Sequence, residues 1–244
     1  MVRIFFNKRF LQVLLLGLLI GALTSCNSLK RVPEDEFLLV KNTIYVDSVA
    51  TKDRRQNNLL EQKSNAKVLG IPLGVYIYNL AKQHPDSVFD KNIQQNQQRY
   101  QRYKNIFSAK QVERMGRSYT RFNEWLKRTG SAPEIVNPSE IERSKTQIKA
   151  WYWNQGWFNA SVEHQQDTVK PQKAEVIYYV ASGQQYKLDS IHPKIETPKL
   201  LELYKSNLKD SHLKRQNAYR TIDFNNEQNR LTQLYRNKGF YYFE

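Results

Sequence analysis

NPSEIERSKTQIKAWYWNQGWFNASVEHQQDTVKPQKAEVIYYV, residues 137–180, is the stretch that decides the fold. Asn137 is a helix N-cap residue, Pro138 suits the first helical position, and Glu140 stands at the third. Ile141, Ile148, Trp151 and Tyr152 then share one helix face. Gly156 stops the helix, because the left-handed C′ position is cheap only for glycine. Trp157 to Gln165 alternates as a strand, with Phe158, Ala160 and Val162 on one side. Asp167 to Gln172 makes the turn, and Ala174 to Val180 is the next strand, with Val176, Tyr178 and Val180 on one face.

Downstream, the same helix recurs. Phe224, Leu231, Leu234, Tyr235, Asn237, Gly239 and Phe240 lie 83 residues after Ile141, Ile148, Trp151, Tyr152, Asn154, Gly156 and Trp157. Asp223 keeps the same offset from Glu140. A repeat of this length exceeds a solenoid unit and predicts two small tandem domains. The second reads as a strand over Tyr186 to Ile195, a helix over Thr197 to Leu208, the repeat helix over Asp223 to Lys238, and a strand starting at Phe240.

Upstream, Phe37 to Val49 reads as a strand, and Pro72 to Lys82 as a short helix. Residues 91–104 are rich in glutamine, with Arg99, Tyr100, Arg102, Tyr103 and Lys104 interleaved. That pattern could stack on single-stranded nucleic acid, but in an exported protein a solvated helix or linker is the preferred reading. Val112, Met115, Tyr119, Phe122 and Leu126 form a one-sided stripe on a helix ending near Gly130. Residues 27–36 read as a polar tether.

Arg3, Lys8 and Arg9 precede a 13-residue apolar run, Leu11 to Leu23, interrupted only by Gln12. That is the form of a signal-peptide core, and it falls short of the ~20 residues that span a bilayer. Leu23-Thr24-Ser25-Cys26 resembles a bacterial lipobox, in which cleavage precedes a lipid-bearing cysteine. Cys26 is the one cysteine in 244 residues, so a disulfide framework is ruled out. The formal net charge of +15 suggests an anionic partner, and export disfavours nucleic acid. Anionic lipid headgroups, lipopolysaccharide or an acidic protein are what remain.

The β-α-α-β-β order, together with the Val180-Ala181-Ser182-Gly183-Gln184-Gln185-Tyr186 passage between units, resembles the POTRA domain. Asn42-Thr43-Ile44-Tyr45-Val46-Asp47, Leu69-Gly70-Ile71-Pro72-Leu73, Ile77-Tyr78-Asn79 and Phe122-Asn123-Glu124-Trp125-Leu126, behind a lipobox, look like the TamL-like lipoprotein form of the BamA/TamA superfamily. The resemblance implies an α+β fold of tandem POTRA-like domains, each a three-stranded sheet with two helices on one face. Their expected division is 1–25 signal peptide, 26–36 tether, 37–184 a first domain with a helical insertion, and 185–244 a second, incomplete one. The family continues into a transmembrane β-barrel, so the chain reads as an N-terminal region of such a protein.

No catalytic constellation, metal-ligand spacing or cofactor motif is legible; His84, His164, His192 and His212 fall in unrelated segments. The resemblance implies instead an outer-membrane, periplasm-facing lipoprotein, anchored at Cys26 by acyl chains such as palmitate. It would take part in barrel assembly by adding unfolded clients or assembly partners to a strand edge. That edge is expected over Trp157, Phe158, Asn159, Ala160, Ser161, Val162, Glu163 and His164, with Gly156, Gly183 and Gly239 as structural turn glycines. The alternative is a structural or glycan-binding envelope lipoprotein, with Trp151 and Trp153 as the aromatic platform.

Overall fold

The computed structural model describes residues 27–243. The signal segment and Cys26 lie outside the described residues. Among the described residues the fold is α+β, with eight α-helices and one four-stranded sheet. The strands are β1 (Leu38–Val46), β2 (Val49–Ala50), β3 (Ser161–Lys170) and β4 (Lys173–Ala181), in the order β2-β1-β4-β3. The helices are α1 (Arg54–Asn57), α2 (Leu73–Leu80), α3 (Pro85–Phe89), α4 (Gln97–Lys104), α5 (Ala109–Thr129), α6 (Pro138–Asn154), α7 (Pro198–Ser206) and α8 (Thr221–Asn237).

Three long strands form the sheet, and β2 extends it by two residues. Asp47 and Ser48, both at positive φ, turn β1 back on β2, so Val46 pairs with Val49. Positive φ at both turn residues matches the strands' right-handed twist. The single strand expected over residues 37–49 is therefore a strand and a tight hairpin. The Leu38 N–H reaches the Gln172 carbonyl and the Asp47 N–H the Val180 carbonyl, so β1 and β4 run parallel. A two-residue turn, Pro171-Gln172, makes β3 and β4 antiparallel. Central β4 carries the core, with Ala174, Val176, Tyr178 and Val180 all buried.

The chain divides into two compact units. One contains the described residues up to Lys41, with Lys63–Val136 and Thr168–Ala174. Here α2 and α3 pack on α5, and Val75, Ala81, Val112 and Leu126 are buried. Residues 27–36 are packed rather than a free tether. Ser28 and Val32 are buried, the Lys30 ammonium donates to the Asn79 carbonyl, and the Gln172 amide donates to that of Pro33. The Gln-rich segment is helical, a π-turn over Asp90–Gln94 and then α4, with no buried residue in α4. On α5 the expected stripe is rotated. Val112 and Leu126 face inward, Phe122 faces solvent, and buried Asn123 takes its place. The Asn123 carbonyl accepts from the Lys82 N–H at 2.7 Å and its amide donates to Tyr119 at 2.8 Å. A polar residue thus lies inside because both halves of its amide are bonded.

The other unit contains Asn42–Gln62, Asn137–Asp167 and residues 175–243. Asn137 caps α6, its side chain accepting from the Ser139 N–H. Ile141, Ile148 and Tyr152 are buried as expected, with Ser144 between them, while Trp151 is only half-buried. The strand after α6 begins at Ser161. Trp157 to Ala160 form a turn closed by the Ala160 N–H on the Trp157 carbonyl, because the chain must first leave the glycine stop. The expected strand over Tyr186 to Ile195 is reduced to one bridge, Lys187 with Ala218, and residues 240–243 form no strand.

The repeat recurs in the backbone hydrogen bonds that flank the two helices. Helices α6 and α8 each have 17 residues and the same 83-residue offset. At the end of α6 the Gly156 N–H bonds the Trp153 carbonyl and the Trp157 N–H that of Tyr152. At the end of α8 Gly239 bonds Arg236 and Phe240 bonds Tyr235. Both ends are Schellman motifs. Ahead of the helices, Val136 bonds Phe37 and Leu39 bonds Glu134; Tyr219 bonds Tyr186 and Leu188 bonds Asn217 in the same way. Matched positions 144 and 227 each accept a backbone N–H from the preceding connection, that of Glu61 at Ser144 and that of His212 at Glu227. Between those bonds the first copy has Glu61 to Glu134, and the second only His212 to Asn217. The additional residues of the first copy thus fall within 62–133.

Candidate interaction edge

Strand β3 ends the sheet order, and among the described residues no strand lies beyond it. Its outer N–H and C=O groups form an unpaired ladder. Of Ser161 to Asp167, only Val162 is buried and Asp167 half-buried; the rest are exposed. Polar side chains on both faces keep this edge soluble without removing its backbone bonding capacity.

Of the eight residues expected at the edge, Ser161, Val162, Glu163 and His164 lie in β3. Trp157, Phe158, Asn159 and Ala160 precede it as the turn already described. A loose charge cluster flanks the strand start. The Lys145 ammonium is 3.2 Å from Glu142 and 3.9 Å from Glu163, and His164 Nδ1 is 3.7 Å from Glu142. Partly exposed pairs of this kind are worth about 0–1 kcal/mol.

The turn belongs to an aromatic seat. Phe158 packs on Trp153 at 4.8 Å, on Tyr219 at 5.0 Å and on Tyr186 at 5.2 Å between ring centroids, and Tyr219 packs on Phe224 at 5.0 Å. The Tyr186 N–H donates to the Gly156 carbonyl at 2.9 Å. Trp153 is held edge-on against Phe158, which leaves no flat tandem platform with Trp151. Tyr219 escaped sequence reading, and Phe224 was read only as a face residue of the repeat helix. The signal for Tyr219 was the 83-residue offset, which carries it onto Val136, a position outside that helix.

Gly156, Gly183 and Gly239 all stand at positive φ. Asp47 fixes the residue before Gly183, accepting from the Ser182 N–H at 2.9 Å and from its hydroxyl at 2.6 Å. The hydroxyl bond and then the backbone bond hold its carboxyl below the usual carboxylate range. No group of three or more His, Cys, Asp or Glu side chains that could hold a metal occurs among the described residues. No helix among them is long and apolar enough to cross a membrane.

The described residues combine an α+β architecture, helices ahead of the β3–β4 hairpin, and an open edge strand. Residues 74–183, a little under half of the chain, match the family model described as POTRA, surface antigen variable number repeat. A POTRA domain is therefore found there, as in the POTRA region of BamA/TamA-type proteins. Such domains are in general non-catalytic modules that bind other proteins or substrates. No curated protein matches the chain.

Proposed function

We propose that this chain is the periplasmic POTRA region of an outer-membrane lipoprotein, acting without catalysis in the assembly of β-barrel proteins. In this reading the signal segment is removed and Cys26 carries the acyl anchor. Unfolded barrel proteins or assembly partners add as a strand to the edge over Ser161–His164. The observation that supports it is the open edge β3 inside the segment that matches the POTRA family. Backbone pairing reads little side-chain identity, which suits a module receiving many different clients. The repeated hydrogen bonds support two POTRA-like domains, 37–184 and 185–244, the first carrying an insertion.

A photo-crosslinker at Glu163 in the full chain, expressed in a Gram-negative envelope, tests the reading. Crosslinks to newly exported barrel proteins are expected from Glu163 and not from exposed Lys149 on α6. Equal capture at both positions, or glycan adducts in place of protein, would overturn it in favour of a structural or glycan-binding envelope lipoprotein.

A further inference from the structure

Residues 91–128 carry ten Lys and Arg against two acids, Glu113 and Glu124, more than half of the chain's net charge in a short segment. Within it α5 is 21 residues long, about 30 Å at 1.5 Å per residue. One side is buried through Val112, Asn123 and Leu126. Along the opposite side Lys110, Arg114, Arg121 and Arg128 recur after 4, 7 and 7 residues, so they form one line. All four are exposed, and none makes an ion pair among the described residues. Glu113 is already paired with Arg117 to the side of this line.

Beside the basic line lie two large aromatics that no core explains. Phe122 is 57% exposed and Trp125 50%, and their rings stack on each other at 5.9 Å with an interplanar angle of 21°. Mutual stacking occupies one face of each ring, which makes a compact apolar knob and a poor platform for nucleic-acid bases. A row of unpaired cations beside an interfacial tryptophan suits a phosphate-bearing surface with an apolar layer beneath it.

We propose that the solvent face of α5 docks on an anionic lipid bilayer. The arginine line meets headgroup phosphates, and the Phe122–Trp125 knob sits at the boundary between headgroups and acyl chains. Arginine suits this role because its planar fork bonds phosphate oxygens in pairs.

The test is amide hydrogen exchange over residues 109–129 of the full chain, carried on vesicles of phosphatidylcholine alone or with 30% phosphatidylglycerol. Both vesicles carry a nickel-chelating lipid that holds a C-terminal polyhistidine tag on the full chain, so the protein is held whether or not Cys26 is acylated and the readout is local to α5. Exchange should slow on the anionic vesicles and recover at 0.5 M salt, where the Debye length falls to about 4 Å. Arg114→Gln with Arg121→Gln and Arg128→Gln should weaken docking roughly 100-fold, about fivefold per charge, and abolish the protection. Phe122→Ser with Trp125→Ser should weaken it while leaving the salt dependence. Equal exchange on neutral and anionic vesicles, a comparison that needs no variant, would overturn the proposal. Protection by a single-stranded oligonucleotide and not by vesicles would overturn it in favour of nucleic acid.

Discussion

Gly156 has two constraints where Gly239 has one. Both end a helix at positive φ, 87° and 96°. An added Cβ at Gly156 would stand 2.7 Å from the Tyr219 carbonyl oxygen, against backbone that cannot swing away, whereas at Gly239 nothing lies within 4 Å. A left-handed non-glycine residue costs about 1–2 kcal/mol in either place. The overlap at Gly156 adds about 1–3 kcal/mol. Gly239→Ala should therefore lower unfolding stability by about 1–2 kcal/mol and Gly156→Ala by clearly more, read from urea titrations of both variants. Equal losses would mean that the seat formed by Tyr186 and Tyr219 yields easily to a methyl group.

At the scale of elements, α8 is fastened through a buried acid. Glu227 accepts two bonds from Arg230, at 2.6 and 2.9 Å, and one from the His212 N–H. Burial raises its carboxyl pKa, but the Arg230 pair, the His212 N–H and the Ser211 hydroxyl outweigh that and hold it below the usual value. A depressed carboxylate adds stability that is present above the unfolded pKa near 4.3 and lost as pH falls through the folded value. Glu227→Gln should thus cost about 1–3 kcal/mol at pH 7 and progressively less as pH falls below the unfolded value, measured by denaturant unfolding across that range. A cost that does not change with pH would show that the charge is irrelevant. The sequence made α6 and α8 legible because caps, glycine stops and apolar spacing agree in both. It misled on α5 because periodicity cannot see that Asn123 bonds the Lys82 N–H, so the apolar stripe was assigned a third of a turn away. It also placed the edge strand four residues early, since Phe158 and Ala160 alternate like a strand while actually turning the chain. Of the candidate edge, its position after the glycine stop was legible. The aromatic seat was not, because its partners come from segments 28 to 66 residues downstream of Phe158.

At the scale of the molecule, the two copies of the repeat differ in how much sheet backs their helices. Helix α6 belongs with β4, a strand bonded on both sides by β1 and β3. Among the described residues, the strand pairing in the segment of α7 and α8 is the single Lys187–Ala218 bridge. An open cleft of about 460 Å³ lies among Thr197, Leu200, Leu231, Tyr235 and Phe243. Apolar side chains facing such a cleft lose the contacts a sheet would supply, and local opening costs correspondingly less. Amides of 186–195 and 211–220 should therefore exchange orders of magnitude faster than those of Lys173–Ala181, with α8 between them. The Tyr235 hydroxyl on the Leu200 carbonyl and the Glu227–Arg230 pair keep α8 from matching the loops. Native-state hydrogen exchange at one pH, resolved by segment, measures all three classes together. Uniform protection across 173–240 would mean that α7 and α8 form a cooperative unit as stable as the sheet, and the account of the second copy as weakly backed would fail.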